Sequence, residues 1–174
     1  MPMVMFDRLP DQSRLWIFGL SRELEPNEEN FFLAAVDEFL ETWIAHGKPL
    51  RCGRDWRHKR FLLMAVDQAS EPPSGCSVDT MIDLLKNQEK ILGISIVDNS
   101  SVWFLKEGEI KKSSRQDFRF LVKEGKVNAE TIVFDNTVIS LAKYRTGHWE
   151  RPALETWHQK AFFPDFVCES SSQD

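Results

Sequence analysis

The apolar residues between Leu15 and Val97 change their spacing several times, and that succession restricts the fold more than any other feature of the chain. Leu15-Trp16-Ile17-Phe18 is a short continuous apolar run, the mark of a buried strand. Phe32, Val36, Phe39, Leu40 and Trp43 then recur at helical spacing. They predict a helix opened by Pro26 and an Asn27 N-cap, burying Phe39 and Trp43 and ending at Gly47. Residues 49–56 and 61–66 read as two strands joined by a polar turn over 57–60. A second helix, capped by Ser77 or Cys76, carries Val78, Met81, Ile82, Leu85 and Leu92 on one face and stops at Gly93. Ile94-Ser95-Ile96-Val97 reads as a fourth strand. Strand, helix, strand, strand, helix, strand is the ferredoxin-like order, with both helices on one face of an antiparallel sheet, so the expected class is α+β.

Asp98-Asn99-Ser100 is turn-forming and marks a boundary, giving an expected first domain over 1–98. A small strand-strand-helix-strand-strand module follows over 99–167. Its first hairpin pairs 102–105 with 110–112 around Lys106-Glu107-Gly108-Glu109. Ser114 with Asp117 resembles a capping box, which opens a helix ended by Gly125. A second hairpin pairs 131–134 with 138–142 across Asp135-Asn136-Thr137. Residues 168–174 are polar and read as a disordered tail.

With 174 residues, 42% of them hydrophobic and 28% charged, the chain can bury a core without metal or disulfides. No run of 18 apolar residues exists, so no membrane span is expected. The opening MPMVMFDRLPDQ lacks the basic and apolar regions of a signal peptide. Cys52, Cys76 and Cys168 are odd in number and widely spaced, which argues for a reducing, cytoplasmic setting. The net charge of −5 is unevenly spread: Lys48, Arg51, Arg54, Arg57, Lys59 and Arg60 form a local basic stripe opposed only by Asp55. On an edge strand such a stripe reads as protection against edge-to-edge pairing. RNA recognition would want a Gly and aromatic pattern that Arg60-Phe61-Leu62-Leu63-Met64 lacks, so a nucleic-acid partner is not expected.

Trp43-Ile44-Ala45-His46-Gly47, Ser74-Gly75-Cys76-Ser77-Val78-Asp79 and Thr131-Ile132-Val133-Phe134-Asp135-Asn136 together resemble an uncharacterised bacterial family whose members often carry the label "ABC transporter ATPase". The label does not fit the chain, which has no G-x-x-x-x-G-K-[ST] to cradle phosphates. Trp103-Phe104, Gly108, Ser114, Asp117-Phe118, Leu121, Gly125-Lys126 and Thr131-Ile132-Val133 resemble a GYF-like module, although Lys111-Lys112 stand where such modules carry Gly-Pro. That resemblance implies a protein partner bound through the C-terminal module. Trp149, Trp157, Phe162, Phe163 and Phe166 make the end of the chain aromatic, either to seal the junction between the halves or to offer a partner-binding patch.

In the expected topology the first helix ends at the sheet edge where the second begins. That places His46 and Lys48 beside Asp67, Ser74, Gly75, Cys76, Ser77 and Asp79. A thiol at a helix N-terminus meets unpaired backbone N–H groups and the positive end of the dipole, both of which favour thiolate. One reading makes Cys76 a nucleophile, His46 its base and Asp79 the residue that orients the base. A second makes Lys48, Ser74, Gly75 and Ser77 an anion or small-ligand site. A third leaves them as a turn, a cap and a packed thiol. No metal site is expected, because His46, Cys52, His58 and Cys76 share no ligand spacing, and no cofactor is expected either. The leading expectation is a non-catalytic cytoplasmic binding or adaptor protein. The alternative is a cysteine-dependent enzyme acting on a small acyl or phosphorylated substrate. Substrate, partner identity and oligomeric state do not follow from these residues.

Overall fold

The computed structural model describes residues 3–165. They belong to two compact units. The first comprises residues 3–99 together with Asn136–Thr146, and the second comprises Ser100–Asp135 and residues 147–165. Both mix helices with antiparallel sheet, as the α+β expectation requires.

In the first unit, β1 (Arg14–Gly19), β5 (Phe61–Val66) and β4 (Cys52–Arg57) form a sheet in the order β1-β5-β4, antiparallel throughout. The central strand β5 is buried at every position. Alternation sends Leu62, Met64 and Val66 to one face, where they join Phe32, Val36 and Leu40 of α1 (Pro26–Thr42) and Met81 and Leu85 of α2 (Gly75–Leu92) in one core. Both helices therefore cover the same sheet face.

Several expectations for this unit are corrected, and among them the strand read over 49–56 is two, Lys48–Pro49 and Cys52–Arg57, parted at Leu50 and Arg51. Helix α1 is capped at Glu25 rather than Asn27, with the Glu25 N–H donating to the Glu28 carboxylate at 3.0 Å. It ends at Thr42, short of Gly47, because Trp43 turns out of the helix into extended backbone and Leu50 N–H donates to its carbonyl at 2.9 Å. A tight hairpin follows: β2 (Ile44–Ala45) and β3 (Lys48–Pro49) flank His46 (φ 52°) and Gly47 (φ 74°). Two successive left-handed residues match the twist of a two-residue hairpin, so Gly47 serves a turn and not a helix end. The ferredoxin-like order also lacks its last strand. Residues 94–97 form no ladder: the N–H groups of Ile96 and Val97 donate to the Glu89 carboxylate at 2.7 and 3.1 Å, and Ser95 bonds Ser21. The edge of β1 instead receives Ile139, which accepts from Leu15 N–H at 2.9 Å, and Ser140, bridged to Arg14.

In the second unit β6 (Ser101–Lys106) and β7 (Glu109–Ser114) form the expected hairpin about Glu107-Gly108. Ser114 Oγ accepts from Asp117 N–H at 3.0 Å and starts α3 (Arg115–Lys123). Strand β8 (Ile132–Phe134) pairs with β6 and with β9 (Glu150–Pro152), completing the order β7-β6-β8-β9. The expected strand over 138–142 is absent. Ser140 there caps the short helix α4 (Leu141–Arg145), accepting from Lys143 N–H at 3.3 Å, and the segment belongs to the first unit. Phe118 of α3 packs edge-on against Phe104 (5.2 Å) and against Phe162 (4.8 Å) of α5 (His158–Phe162). Trp157, Phe162 and Phe163 are thus part of this unit's own core, and Trp149 packs on Phe134 at 5.1 Å. Phe166 and the expected tail over 168–174 lie outside the described residues. Among the described residues no helix is long and apolar enough to cross a membrane.

Candidate functional site

The first unit holds a concavity of about 420 Å³ where the β2–β3 hairpin meets the start of α2. Phe39, Trp43 and Ile44 supply apolar walls, while His46, Ser74 and Cys76 supply polar ones. Its geometry depends on Trp43. The indole is 2% exposed and its Nε1–H donates to the carbonyl of Ser77 at 2.9 Å, tying the end of α1 to the first turn of α2. The ring also stacks obliquely with Phe39 (5.2 Å) and Trp16 (5.9 Å).

The start of α2 is capped by Ser74 and not by the expected Ser77 or Cys76, which are the third and second residues of the helix. Ser74 Oγ accepts from Ser77 N–H (3.1 Å), while Ser77 Oγ accepts from Ser74 N–H (2.8 Å) and donates to Ser74 O (2.7 Å). Both hydroxyls are engaged by the cap, which leaves the N–H groups of Gly75 and Cys76 as the first-turn donors without an intrahelical acceptor. Cys76 and His46 are both exposed.

The sequence-predicted residues separate into two groups. His46, Ser74, Cys76 and Ser77 line this cavity. Gly75 is the first residue of α2 and Asp79 is exposed, and neither is among the lining residues. Lys48 turns to Glu71 at 3.8 Å. Asp67 pairs with Arg51 at 3.0 Å and accepts from Ala69 N–H. The thiol of Cys76 and the imidazole of His46 share no hydrogen bond among the described residues. Thr42, Trp43 and Thr80 also line the cavity; the positions of Thr42 and Trp43 there depend on where α1 ends, which the spacing of the apolar residues does not show.

The basic stripe is largely neutralised in place. Arg54 forms a bidentate pair with Asp37 (2.7 and 2.8 Å), Arg51 meets Asp67, and Arg57 lies 3.8 Å from Asp55. Arg60 is buried and donates to the carbonyls of Leu20 and Ser21. The β4 edge is covered by the start of the chain: Val4 N–H donates to Cys52 O at 2.8 Å, and a Cβ on Gly53 would lie 2.6 Å from Val4 O. A larger concavity of about 690 Å³ lies along Met3–Asp7, but its one cation, Arg54, is already held by Asp37. No group of three or more metal-ligating side chains occurs among the described residues. Cys52 is buried with its thiol against Leu40 O, and burial pushes its pKa up to about 12.

The aromatic positions that carry the GYF-like resemblance are interior: Trp103, Phe104 and Phe118 are all buried in the second unit. Comparison with protein-family models, with curated proteins and with solved structures finds no match.

Proposed function

We propose that this chain is a non-catalytic binding protein of the bacterial cytoplasm. In this reading the cavity between the β2–β3 hairpin and α2 holds a small ligand bearing an anionic or hydrogen-bond-accepting group, and the second unit contacts a protein partner. One observation carries the first part: a single concavity gathers apolar walls from Phe39, Trp43 and Ile44 with the His46 imidazole and the Cys76 thiol. Mostly apolar walls with a few convergent polar groups are the usual composition of a small-molecule site. The free thiols of Cys52 and Cys76 suit a reducing compartment.

The cysteine-enzyme alternative has less behind it. A nucleophile and its base are expected within hydrogen-bond reach, and here the cap uses the neighbouring hydroxyls while Asp79 stands away from the lining. Alkylation of Cys76 against pH separates the two readings, using Cys168→Ser protein so that the signal has one source. A binding protein gives an inflection that His46→Ala leaves unchanged. An inflection that rises in His46→Ala establishes the activated thiol and defeats the proposal. Binding itself is read by titrating a panel of small carboxylates and phosphates while following the Trp43 indole resonance. No shift with any of them leaves the cavity without a ligand role.

A further inference from the structure

Strand β4 is an edge of its sheet, and the start of the chain covers that edge only at Cys52 and Gly53. Asp67 N–H donates to Arg51 O at 2.9 Å, which fixes the phase of the β4–β5 pairing. Gly53, Asp55 and Arg57 thus turn their backbone groups toward β5, and Cys52, Arg54 and Trp56 turn theirs outward. Cys52 O accepts from Val4 N–H at 2.8 Å, and Trp56 N–H donates to Asp55 Oδ1 at 2.9 Å. Between them, the N–H and C=O of Arg54 have no hydrogen-bond partner among the described residues.

The concavity of about 690 Å³ lies at this open stretch, lined by Met3–Asp7, by Glu41 in the last turn of α1 and by Arg54 and Asp55. Met3, Val4, Met5 and Phe6 give it an apolar side with two adaptable thioethers, and Met5 is 64% exposed. The carboxylates of Asp7 and Glu41 pair with no cation among the described residues. Asp55 lies 3.8 Å from Arg57. The cations nearby are engaged: Arg54 is held by Asp37 at 2.7 and 2.8 Å, and Arg145, which reaches the carbonyls of Phe6 and Asp7, is held by Asp11 at 2.7 Å. The unpaired charge of the groove is therefore negative.

We propose that this groove is a docking site for an extended basic segment of a partner protein. The segment pairs with the open β4 edge at Arg54, rests an apolar side chain on Met3, Met5 and Phe6, and sets lysine or arginine beside Asp7 and Glu41. The site is separate from the cavity at the start of α2 and depends neither on it nor on a contact made by the second unit. Two independent features identify the occupant. An outward N–H and C=O on one edge residue are what an added strand bonds to, while its alternate side chains supply specificity. Unpaired carboxylates select a basic strand, because an acidic one or a nucleic acid would meet like charge. A free amine would satisfy the carboxylates and leave the edge open. The carboxylates are not gathered as metal ligands either, since no group of three or more such side chains occurs among the described residues.

The test uses the full chain at low ionic strength and a short labelled peptide of alternating lysine and valine. Its glutamate-for-lysine counterpart, a copy N-methylated on alternate backbone amides and spermine serve as comparisons. The lysine peptide is expected to bind, to release as salt rises and to slow hydrogen exchange of the Arg54 amide. The other three are expected to bind at least about tenfold more weakly. Asp7→Asn with Glu41→Gln is expected to weaken the lysine peptide about tenfold, with near-ultraviolet circular dichroism unchanged. If that double variant fails to fold, each single variant is expected to lower affinity and flatten the salt dependence. Absence of binding to the wild-type chain overturns the proposal. So does binding that leaves the Arg54 amide unprotected, or that survives these substitutions unchanged. Equal binding of the N-methylated copy or of spermine overturns it as well, because the groove would then be reading positive charge alone.

Discussion

The indole N–H of Trp43 and the carbonyl of Ser77 meet at 2.9 Å in the interior of the first unit, joining the residue that ends one helix to the first turn of the next. Ser77 O also accepts from Thr80 Oγ1 at 2.8 Å. Trp43→Phe therefore removes a donor without orphaning the carbonyl. Its hydrogen-bond cost should be about 1 kcal/mol rather than the larger penalty of a buried acceptor left alone. Urea denaturation checks the magnitude. A loss beyond about 3 kcal/mol would show that ring volume, and not the bond, holds the junction.

Two phenylalanines of α1 should differ sharply. Phe32 is fully buried and packs on Trp56 at 5.5 Å, whereas Phe39, expected from its spacing to be core, is only partly buried and faces the cavity. Phe32→Ala should cost about 3–5 kcal/mol and Phe39→Ala distinctly less. Equal losses in denaturant unfolding would contradict this assignment of the helix faces.

Gly53 lies against the backbone of residues 4–6, with no flexible side chain to give way. Gly53→Ala should push that segment off β4. Hydrogen exchange of the Val4 amide, which donates to Cys52 O, should accelerate, and stability should fall by about 1–3 kcal/mol. Unchanged protection of that amide would mean that the start of the chain is not held there.

His158 is 1% exposed, its Nδ1 lies 2.7 Å from Thr156 Oγ1 and its ring stacks on Trp157 at 3.9 Å. Burial, helped by the nearby Arg115 charge, lowers its pKa to about 4. The folded state thus binds the proton less well than the unfolded chain, whose imidazole titrates near 6.5. The stability that His158 contributes is complete above pH 6.5 and is lost as pH falls from there through 4, to a total of about 3 kcal/mol. His158→Gln should flatten the pH dependence across that window. A variant with the same pH profile as the wild type would assign the acid sensitivity to another group.

How much of this was legible in the sequence depended on how local each signal was. The α+β class, strands β1 and β5, helix α2 and the β6–β7 hairpin with α3 follow from periodicity, the Ser114 cap and the positive-φ glycines at 93, 108 and 125. Each of these is decided within a few residues of chain. The convergence of His46 with Cys76 was also legible, because the order of elements brings both to one end of the sheet.

The remainder was decided by partners distant in sequence. Ile94-Ser95-Ile96-Val97 has the composition of a strand, but its amides go to Glu89 and Ser21, and the edge of β1 takes Ile139 and Ser140. Residues 138–142 are apolar enough for a hairpin, yet Leu141 and Ala142 donate to Ser13 and Asp11. The periodic face of α1 extends through Trp43, but the helix stops at Thr42, and the Trp43 indole donates to Ser77, 34 residues on. The sequence by itself determined where the chain is able to form helix or strand, since propensity, caps and turns act over one or two turns of backbone. Tertiary structure alone decided which capable segments were used and which charges were neutralised. A buried amide must find an acceptor and a sheet edge has room for one neighbour, and both are settled only when residues far apart in the chain compete for the same place.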